Sequence, residues 1–129
     1  EQVISDFRRI LFNGGLLTFA DFNREHARCL AFLKEAVTCS KARKKIVVTH
    51  HVPSFQMQCP KFAGSQANGA FTVELEDYIR DSGIDFWIFG HSHYNVDVRI
   101  GNTMCVSNQL GYVFHGEHES FNPCKNIEV

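Results

Sequence analysis

The hydrophobic positions between residues 19 and 38 follow the period of an α-helix. Apolar side chains recur there at spacings of three and four residues, which places them on one face of a helix. Thr18 and Asp21 stand at the start of this segment, in TFAD, and match a capping box with Asp in the place of Glu. The pattern therefore predicts a helix from Phe19 to Thr38. Its stripe consists of Phe22, His26, Cys29, Leu30, Leu33, Ala36 and Val37.

Two short apolar runs predict buried strands. Residues 46–49 (IVVT) and 84–89 (IDFWIF) are rich in β-branched or aromatic residues and are too short for ordinary helices. Between them, the segment from Phe71 to Ile79 has helical spacing and is followed by Ser82-Gly83, which is typical of a helix C-terminus. A strand, a helix and a strand in this order predict a βαβ unit with a right-handed crossover and parallel strands.

The remaining segments give weaker signals. Residues 96–100 and 103–107 flank Gly101-Asn102 and predict a β-hairpin, because Gly and Asn accept the positive φ angles of a two-residue turn. Residues 52–70 contain two prolines and two glycines without periodicity and predict a long surface loop. The last residues, KNIEV, predict one more short strand. Residues 1–15 match no element, as expected of a chain cut from a longer protein.

Composition and charge narrow the class of protein. The chain has 129 residues, of which 44% are hydrophobic, so one domain with its own core is expected. The net charge of -1 argues against specific nucleic-acid binding through a broad basic surface. Five cysteines without a CxxC pair favour free thiols in a reducing compartment. Because the sequence has neither a long apolar stretch nor a signal peptide, we expect a cytoplasmic protein that does not contact membranes.

Four of the seven histidines follow directly after the two predicted strands. His50 and His51 come after the first strand, and His91 and His93 follow Gly90 after the second. Ligands of parallel α/β sheets bind at the carboxyl ends of the strands, so these side chains are expected at one edge of the sheet. Neutral imidazole is a common ligand of zinc, manganese and iron, and the pattern predicts a metal site.

A structural role is the alternative for any single histidine, but two strand-end pairs together favour metal binding. The segment FHGEHES forms another group of polar side chains. We interpret it as a solvated loop rather than as a metal site; it contains His115, Glu117, His118 and Glu119.

The residues around the strand-end histidines resemble a known family. The sequence THHVPS, followed downstream by FGHSH, is similar to the C-terminal half of the calcineurin-like metallophosphoesterases. The similarity extends over nearly the whole chain and is therefore more specific than GHSH alone. The further segments resemble a bacterial cytosolic branch of the family; they are SDFRRI, LLTFADFNREHARCLAFL, KFAGSQANGAF and VSNQLGY with FNPCKNIEV.

The resemblance also implies what this sequence lacks. The family builds a two-metal site from DxH, GDxxD and GNH motifs in addition to the histidine motifs, and residues 1–129 contain none of these three. We therefore expect residues 1–129 to be the C-terminal part of a metallophosphoesterase domain. The implied fold class is α/β, namely the C-terminal half of a double-sheet α/β/β/α sandwich with a βαβ unit and a following β-hairpin.

The family's metal ligands are carried over to this sequence one residue at a time. By resemblance, His50 and His91 ligate one metal ion, and His93 faces a second. His51 is the competing candidate for the role of His50; otherwise it contacts a ligand or the substrate, or protonates the leaving group. The implied cofactors are divalent transition-metal ions (Mn, Fe or Zn), two in the full-length enzyme and at most one in residues 1–129.

The implied activity is hydrolysis of a phosphate ester, either a monoester or a diester, by a metal-bound hydroxide in the full-length protein. Without the aspartates of the missing motifs, residues 1–129 are expected to be inactive alone. Two alternatives are a small non-catalytic metal-binding module and a self-associating interaction module. Removing half of a double-sheet core should expose apolar surface, so we expect residues 1–129 to form a homodimer.

Overall fold

The computed structural model describes residues 4–129, which form two compact units that divide after Lys41. The first unit begins with a 3-10 turn, Ser5–Arg8, and a short hairpin of strands β1 (Leu11–Phe12) and β2 (Gly15–Leu16). Asn13 and Gly14 make the turn with φ angles of 50° and 84°. The sequence prediction missed this hairpin, although Asn-Gly is a strong turn signal, because the flanking strands are only two residues long.

Helix α1 (Phe19–Cys39) confirms the predicted helix to within one residue. The capping box is present: the Thr18 hydroxyl accepts the Asp21 N–H, and the Asp21 carboxylate accepts the Thr18 N–H, both over 3.1 Å. Phe7 is buried, and its ring centre lies 6.1 and 6.0 Å from those of Phe19 and Phe22. The predicted stripe is only partly covered, since Val37 is buried whereas His26 and Cys29 are exposed.

The second unit contains a four-stranded mixed sheet and one short helix. Strand β3 (Ile46–Val48) pairs in parallel with β4 (Phe86–Phe89), and helix α2 (Glu76–Asp81) connects them in sequence. This confirms the predicted strand–helix–strand order with parallel strands. Strands β5 (Val98–Ile100) and β6 (Thr103–Ser107) form the predicted hairpin, and β6 also pairs in parallel with β4. The strand order is β3-β4-β6-β5.

The two faces of this sheet differ in burial. Val47, Trp87 and Cys105 lie side by side in register on one face, and all three are buried. On the other face, at the edge strand β3, Ile46 and Val48 are 44% and 70% exposed. One face therefore supports the core, and the other presents apolar side chains to solvent at its β3 edge.

Helix α2 begins later than predicted. The sequence places its start at Phe71, but the residues before Glu76 contact the segment after β3 instead, where Thr72 forms a parallel bridge with Val52. The N–H groups of Val73 and Leu75 donate to the carbonyl oxygens of Val52 and Pro53, each over 3.0 Å. These tertiary hydrogen bonds satisfy the backbone N–H groups without a helix, so the predicted start of the helix at Phe71 was wrong.

The segment predicted as a surface loop is partly buried. It contains three 3-10 turns, at Phe55–Met57, Pro60–Phe62 and Asn68–Ala70, but Val52 and Met57 are fully buried in the core. The last residues do not form the predicted strand. Instead, Lys125 Nζ donates to Asp97 Oδ1 over 2.6 Å and to the carbonyl of Ser107 over 2.8 Å. Within residues 4–129, no helix is long and apolar enough to cross a membrane.

Candidate metal centre

The carboxyl ends of β3 and β4 are joined by hydrogen bonds beyond the strands themselves. Thr49 N–H donates to the carbonyl of Ile88 over 2.9 Å, and Gly90 N–H donates to the carbonyl of His50 over 3.1 Å. The parallel ladder therefore continues into both histidine motifs. As expected for a parallel sheet, residues forty positions apart in the chain meet at the same edge.

Core packing also fixes the backbone at His51. Trp87 is fully buried, and its indole N–H donates to Thr49 Oγ1 over 2.9 Å. The Thr49 hydroxyl donates in turn to the carbonyl of His51 over 3.0 Å. A side chain in the centre of the core thus sets the position of the turn that carries the first histidine pair.

Three imidazole rings lie together at this edge. The ring centre of His91 is 4.5 Å from that of His50 and 4.8 Å from that of His51, and the centres of His50 and His51 are 5.5 Å apart. Phe71 stacks on His91 at 4.5 Å with an interplanar angle of 25°. His91 is therefore the middle member of the cluster, and its φ of 70° turns the chain sharply after Gly90.

The fourth histidine, His93, lies against a different set of groups. Its Nδ1 is 2.8 Å from Glu117 Oε2, and its ring meets that of Tyr112 edge-on at 4.8 Å. The backbone of His93 has a φ of 51°, which is uncommon for a residue other than glycine. The structure thus brings His50, His51 and His91 together and pairs His93 with Glu117.

Gln109 holds the backbone of the second histidine motif. Its side-chain oxygen accepts the N–H of His93 over 2.8 Å, and its side-chain nitrogen donates to the carbonyl of Tyr94 over 3.0 Å. The main chain of Gln109 is itself tied to Asn95 by two hydrogen bonds of 2.6 and 2.9 Å. One amide side chain therefore supports the motif while two of its histidines adopt left-handed φ angles.

Electrostatics favour an ionised carboxylate beside His93. The hydrogen bond from the Tyr112 N–H to Glu117 Oε2, 2.6 Å long, and the contact with His93 together hold the pKa of Glu117 below its usual value. An ionised carboxylate accepts hydrogen bonds but donates none, so Glu117 can serve only as an acceptor in this contact.

Comparison with known proteins identifies the family. A family model described as calcineurin-like phosphoesterase matches residues 2–95. The chain belongs to this family. The match includes both histidine pairs and ends before Gln109 and Glu117, whose contacts are known from the structure alone.

One curated relative is a viral protein of unassigned function. The uncharacterized protein L509 of Acanthamoeba polyphaga mimivirus is 28% identical over 120 residues, which are 88% of this chain and 41% of that protein. The chain thus spans about two-fifths of the length of this relative. No solved structure matches. The bacterial branch and the C-terminal position within the domain stay predictions.

The donor groups at the strand ends fit a transition metal in chemistry and in pairwise spacing. Two imidazoles on one zinc ion, with Zn–N distances of about 2.0–2.1 Å, have ring centres roughly 5 Å apart. The three distances in the cluster, 4.5, 4.8 and 5.5 Å, lie around that value. Across residues 4–129, however, no group of three His, Cys, Asp or Glu side chains is arranged so that it could hold an ion.

Sequence reasoning found the histidines but missed their two supports. Glu117 was assigned to a solvated loop, because twenty-four residues separate it from His93 and no local pattern connects them. Gln109 gave no signal, since a glutamine after a strand has many ordinary uses. Only the fold brings these side chains to the second histidine motif.

Proposed function

We propose that this chain supplies histidine ligands to a divalent-metal centre that hydrolyses phosphate esters in the full-length protein. The observation that carries the proposal is the meeting of His50, His51 and His91 at the carboxyl ends of two parallel strands. Membership in the calcineurin-like phosphoesterase family supports the reaction class. Manganese, iron and zinc all suit imidazole donors.

Each histidine has a distinct proposed role. His50 and His91, whose ring centres are 4.5 Å apart, ligate one ion, and His93 faces a second. When bound, such ions act as Lewis acids toward phosphoryl oxygens and activate a water molecule. His51 lies within 5 Å of His91 by ring centre and is half-buried, so it can contact the substrate or protonate the leaving oxygen.

Neighbouring side chains restrict the orientation of two of the histidines. Phe71 covers one face of His91, and Tyr112 packs against the edge of His93. Gln109 holds the backbone of His93, so that the ring projects from a turn of fixed shape. Positioning of this kind matters because displacements of about 1 Å can reduce catalysis strongly.

We also propose that residues 1–129 alone bind at most one ion and have little or no phosphoesterase activity. The support is the lack of a three-residue binding group within residues 4–129. Pairs of neutral imidazoles provide no negative charge to balance a second divalent cation, which weakens its binding through Coulomb repulsion.

Calorimetric titration with Zn²⁺ and Mn²⁺ at about pH 7.5 tests the ligand assignment. We expect H50A and H91A each to weaken binding at least tenfold, since even changes to groups that support ligands cost 10–100-fold. H26A is the matched control, because His26 is exposed on α1. Unchanged binding by H50A and H91A would refute the assignment, and selective loss in H51A would make His51 the ligand in place of His50.

Activity of residues 1–129 is measured separately with an aromatic phosphomonoester and a phosphodiester as substrates. We expect no metal-stimulated turnover above that of the H91A variant. Substantial turnover that disappears in H91A would show that the chain is a complete enzyme and would overturn the proposed incompleteness.

A further inference from the structure

Three contacts fix His93, although it lies outside the helices and strands. Its backbone N–H donates to Gln109 Oε1 over 2.8 Å, and its ring edge contacts Tyr112 at 4.8 Å between ring centres. Its Nδ1 lies 2.8 Å from Glu117 Oε2. The first contact fixes the main chain, the second limits ring rotation, and the third selects one ring nitrogen.

The carboxylate of Glu117 is oriented by a further contact. The N–H of Tyr112 donates to the same oxygen, Oε2, over 2.6 Å. Glu117 begins the 3-10 turn Glu117–Ser120 directly after Gly116, whose φ of 73° returns the chain toward His93. One carboxylate oxygen thus accepts two hydrogen bonds, and the bond from Tyr112 fixes it in place.

The packing around Glu117 leaves no room for another side chain at Gly111. A Cβ at Gly111 would lie 2.6 Å from Glu117 Cβ, 2.9 Å from Glu117 Oε2 and 3.2 Å from His93 Cβ. Gly111 also has a φ of 64°, which favours glycine. Glycine at this position permits the close approach of Glu117 to His93, so the contact is part of how the segment packs.

We propose that Glu117 is a positioning residue for His93, which it holds in the tautomer with the proton on Nδ1 and with Nε2 free as the ligating nitrogen. The inference rests on the proposed function, because it assigns the ligating atom of a proposed ligand. A neutral imidazole has one donor and one acceptor nitrogen, and the hydrogen bond of one decides the role of the other. Carboxylates that accept the N–H of a metal-ligating histidine fix its orientation and increase its basicity.

Ring nitrogen chemical shifts test the tautomer without any metal. The tag-free chain labelled with ¹⁵N on histidine is measured at about pH 8.5, where an ordinary imidazole with a pKa of about 6.5 is neutral. The signals that H93A removes belong to His93. We expect a single Nδ1–H tautomer in the wild type and in E119A, and a mixture of both tautomers in E117A. An unchanged pair of His93 shifts in E117A would overturn the proposal.

The variant E117Q separates hydrogen bonding from local unfolding. Oε2 of Glu117 accepts both hydrogen bonds, so the single amide oxygen of glutamine can replace it. We expect E117Q to keep the Nδ1–H tautomer, whereas E117A loses it. If E117Q gave the same mixture of tautomers as E117A, acceptance of the Nδ1 proton would not be the role of this side chain.

Zinc affinity, measured by calorimetry on the same variants, separates this role from the ion proposed at His50 and His91. Because residues 1–129 are proposed to bind one ion, at that pair, we expect E117A and E119A to bind Zn²⁺ within about threefold of the wild type, whereas H91A weakens binding at least tenfold. A loss in E117A as large as that in H91A would place Glu117 at the His50–His91 pair and overturn its assignment to His93. Unchanged binding in H50A and H91A would refute the proposed function, while the tautomer result for His93 would stand.

Discussion

Trp87 and Thr49 connect the core of the second unit to the candidate metal centre. The indole N–H of the fully buried Trp87 donates to Thr49 Oγ1 over 2.9 Å, and the same hydroxyl donates to the carbonyl of His51. A single threonine oxygen therefore accepts from the core and donates to the turn that carries His50 and His51. This arrangement makes the position of the histidine pair depend on core packing.

The first prediction concerns this threonine. T49V keeps the shape of the side chain but leaves the buried indole N–H of Trp87 without its acceptor, which costs about 1–3 kcal/mol in the free energy of unfolding. T49S retains the hydroxyl and is expected to lose much less. The measurement is urea unfolding followed by the fluorescence of Trp87, the only tryptophan in the chain. Equal midpoints for T49V and T49S would show that this hydrogen bond does not stabilise the fold.

The second prediction concerns pH and Asp85. The Lys45 N–H donates to its carboxylate over 2.9 Å and Lys44 Nζ donates over 3.0 Å, and these contacts lower the pKa of Asp85. The folded pKa thus lies below the unfolded value of about 3.9, so the stabilisation is present above that value and is lost as pH falls through the folded pKa. We expect D85N to be less stable than the wild type at pH 6, with a difference that shrinks toward pH 3.

Lys44 provides the control for Asp85. The hydrogen bond from the Lys45 main chain is the larger cause of the shift, so K44M should keep most of the pH dependence. The readout is the urea midpoint of the wild type, D85N and K44M at several pH values. A constant difference between the wild type and D85N from pH 6 to pH 3 would contradict the assignment.

The third prediction separates the five thiols by reactivity. Burial raises the pKa of Cys105 to about 11, so its reactive thiolate is scarce at pH 8. Cys29, Cys39 and Cys124 are exposed. With Ellman's reagent we expect three fast thiols, an intermediate rate for Cys59, and reaction of Cys105 only after unfolding in guanidinium. C124S should remove one fast thiol and leave the rate of Cys105 unchanged. Five equal rates would mean that the reagent reaches Cys105 in the folded protein.

The fourth prediction concerns self-association. We propose that residues 1–129 form a homodimer through the apolar sheet face at β3, where Val48 is 70% exposed. A symmetric dimer covers such a surface with a copy of itself. V48D is expected to give monomers at micromolar concentration, as measured by light scattering. F32D is the comparison, because Phe32 is 71% exposed on α1 and tests the helix surface instead.

A monomeric wild type at the same concentration would rule out the dimer. Dissociation by F32D with no effect of V48D would move the interface from the sheet to the helix.

Local patterns were enough where neighbouring residues decide the conformation. The capping box of Thr18 and Asp21 and the helical period fixed α1 to within one residue. Gly101, with a φ of 58°, makes the turn that its sequence predicted. The two strand-end histidine pairs were found because each follows a short apolar run. In all these cases the interacting residues lie within a few positions of one another.

Long-range contacts decided the rest. Phe71 has helical spacing, but Val73 and Leu75 donate hydrogen bonds to the segment after β3, and the helix begins only at Glu76. The tail KNIEV is apolar enough for a strand, yet Lys125 binds Asp97 and Ser107 instead. In both segments, hydrogen-bond partners distant in the sequence replaced the local element. The N–H groups of Val73 and Leu75 bind carbonyl oxygens after β3, and the Lys125 ammonium group binds Asp97 and Ser107.

The sequence by itself determined the family, the βαβ unit and the position of four histidines directly after two strands, since each depends on residue types at short, fixed spacings. Only the tertiary structure decided where their rings lie: His51 lies beside His50 and His91, while His93 contacts Glu117. The physical reason is that the direction of an imidazole ring depends on its hydrogen-bond partners. The partner of His93 comes from a segment twenty-four residues away, which no local pattern connects to it.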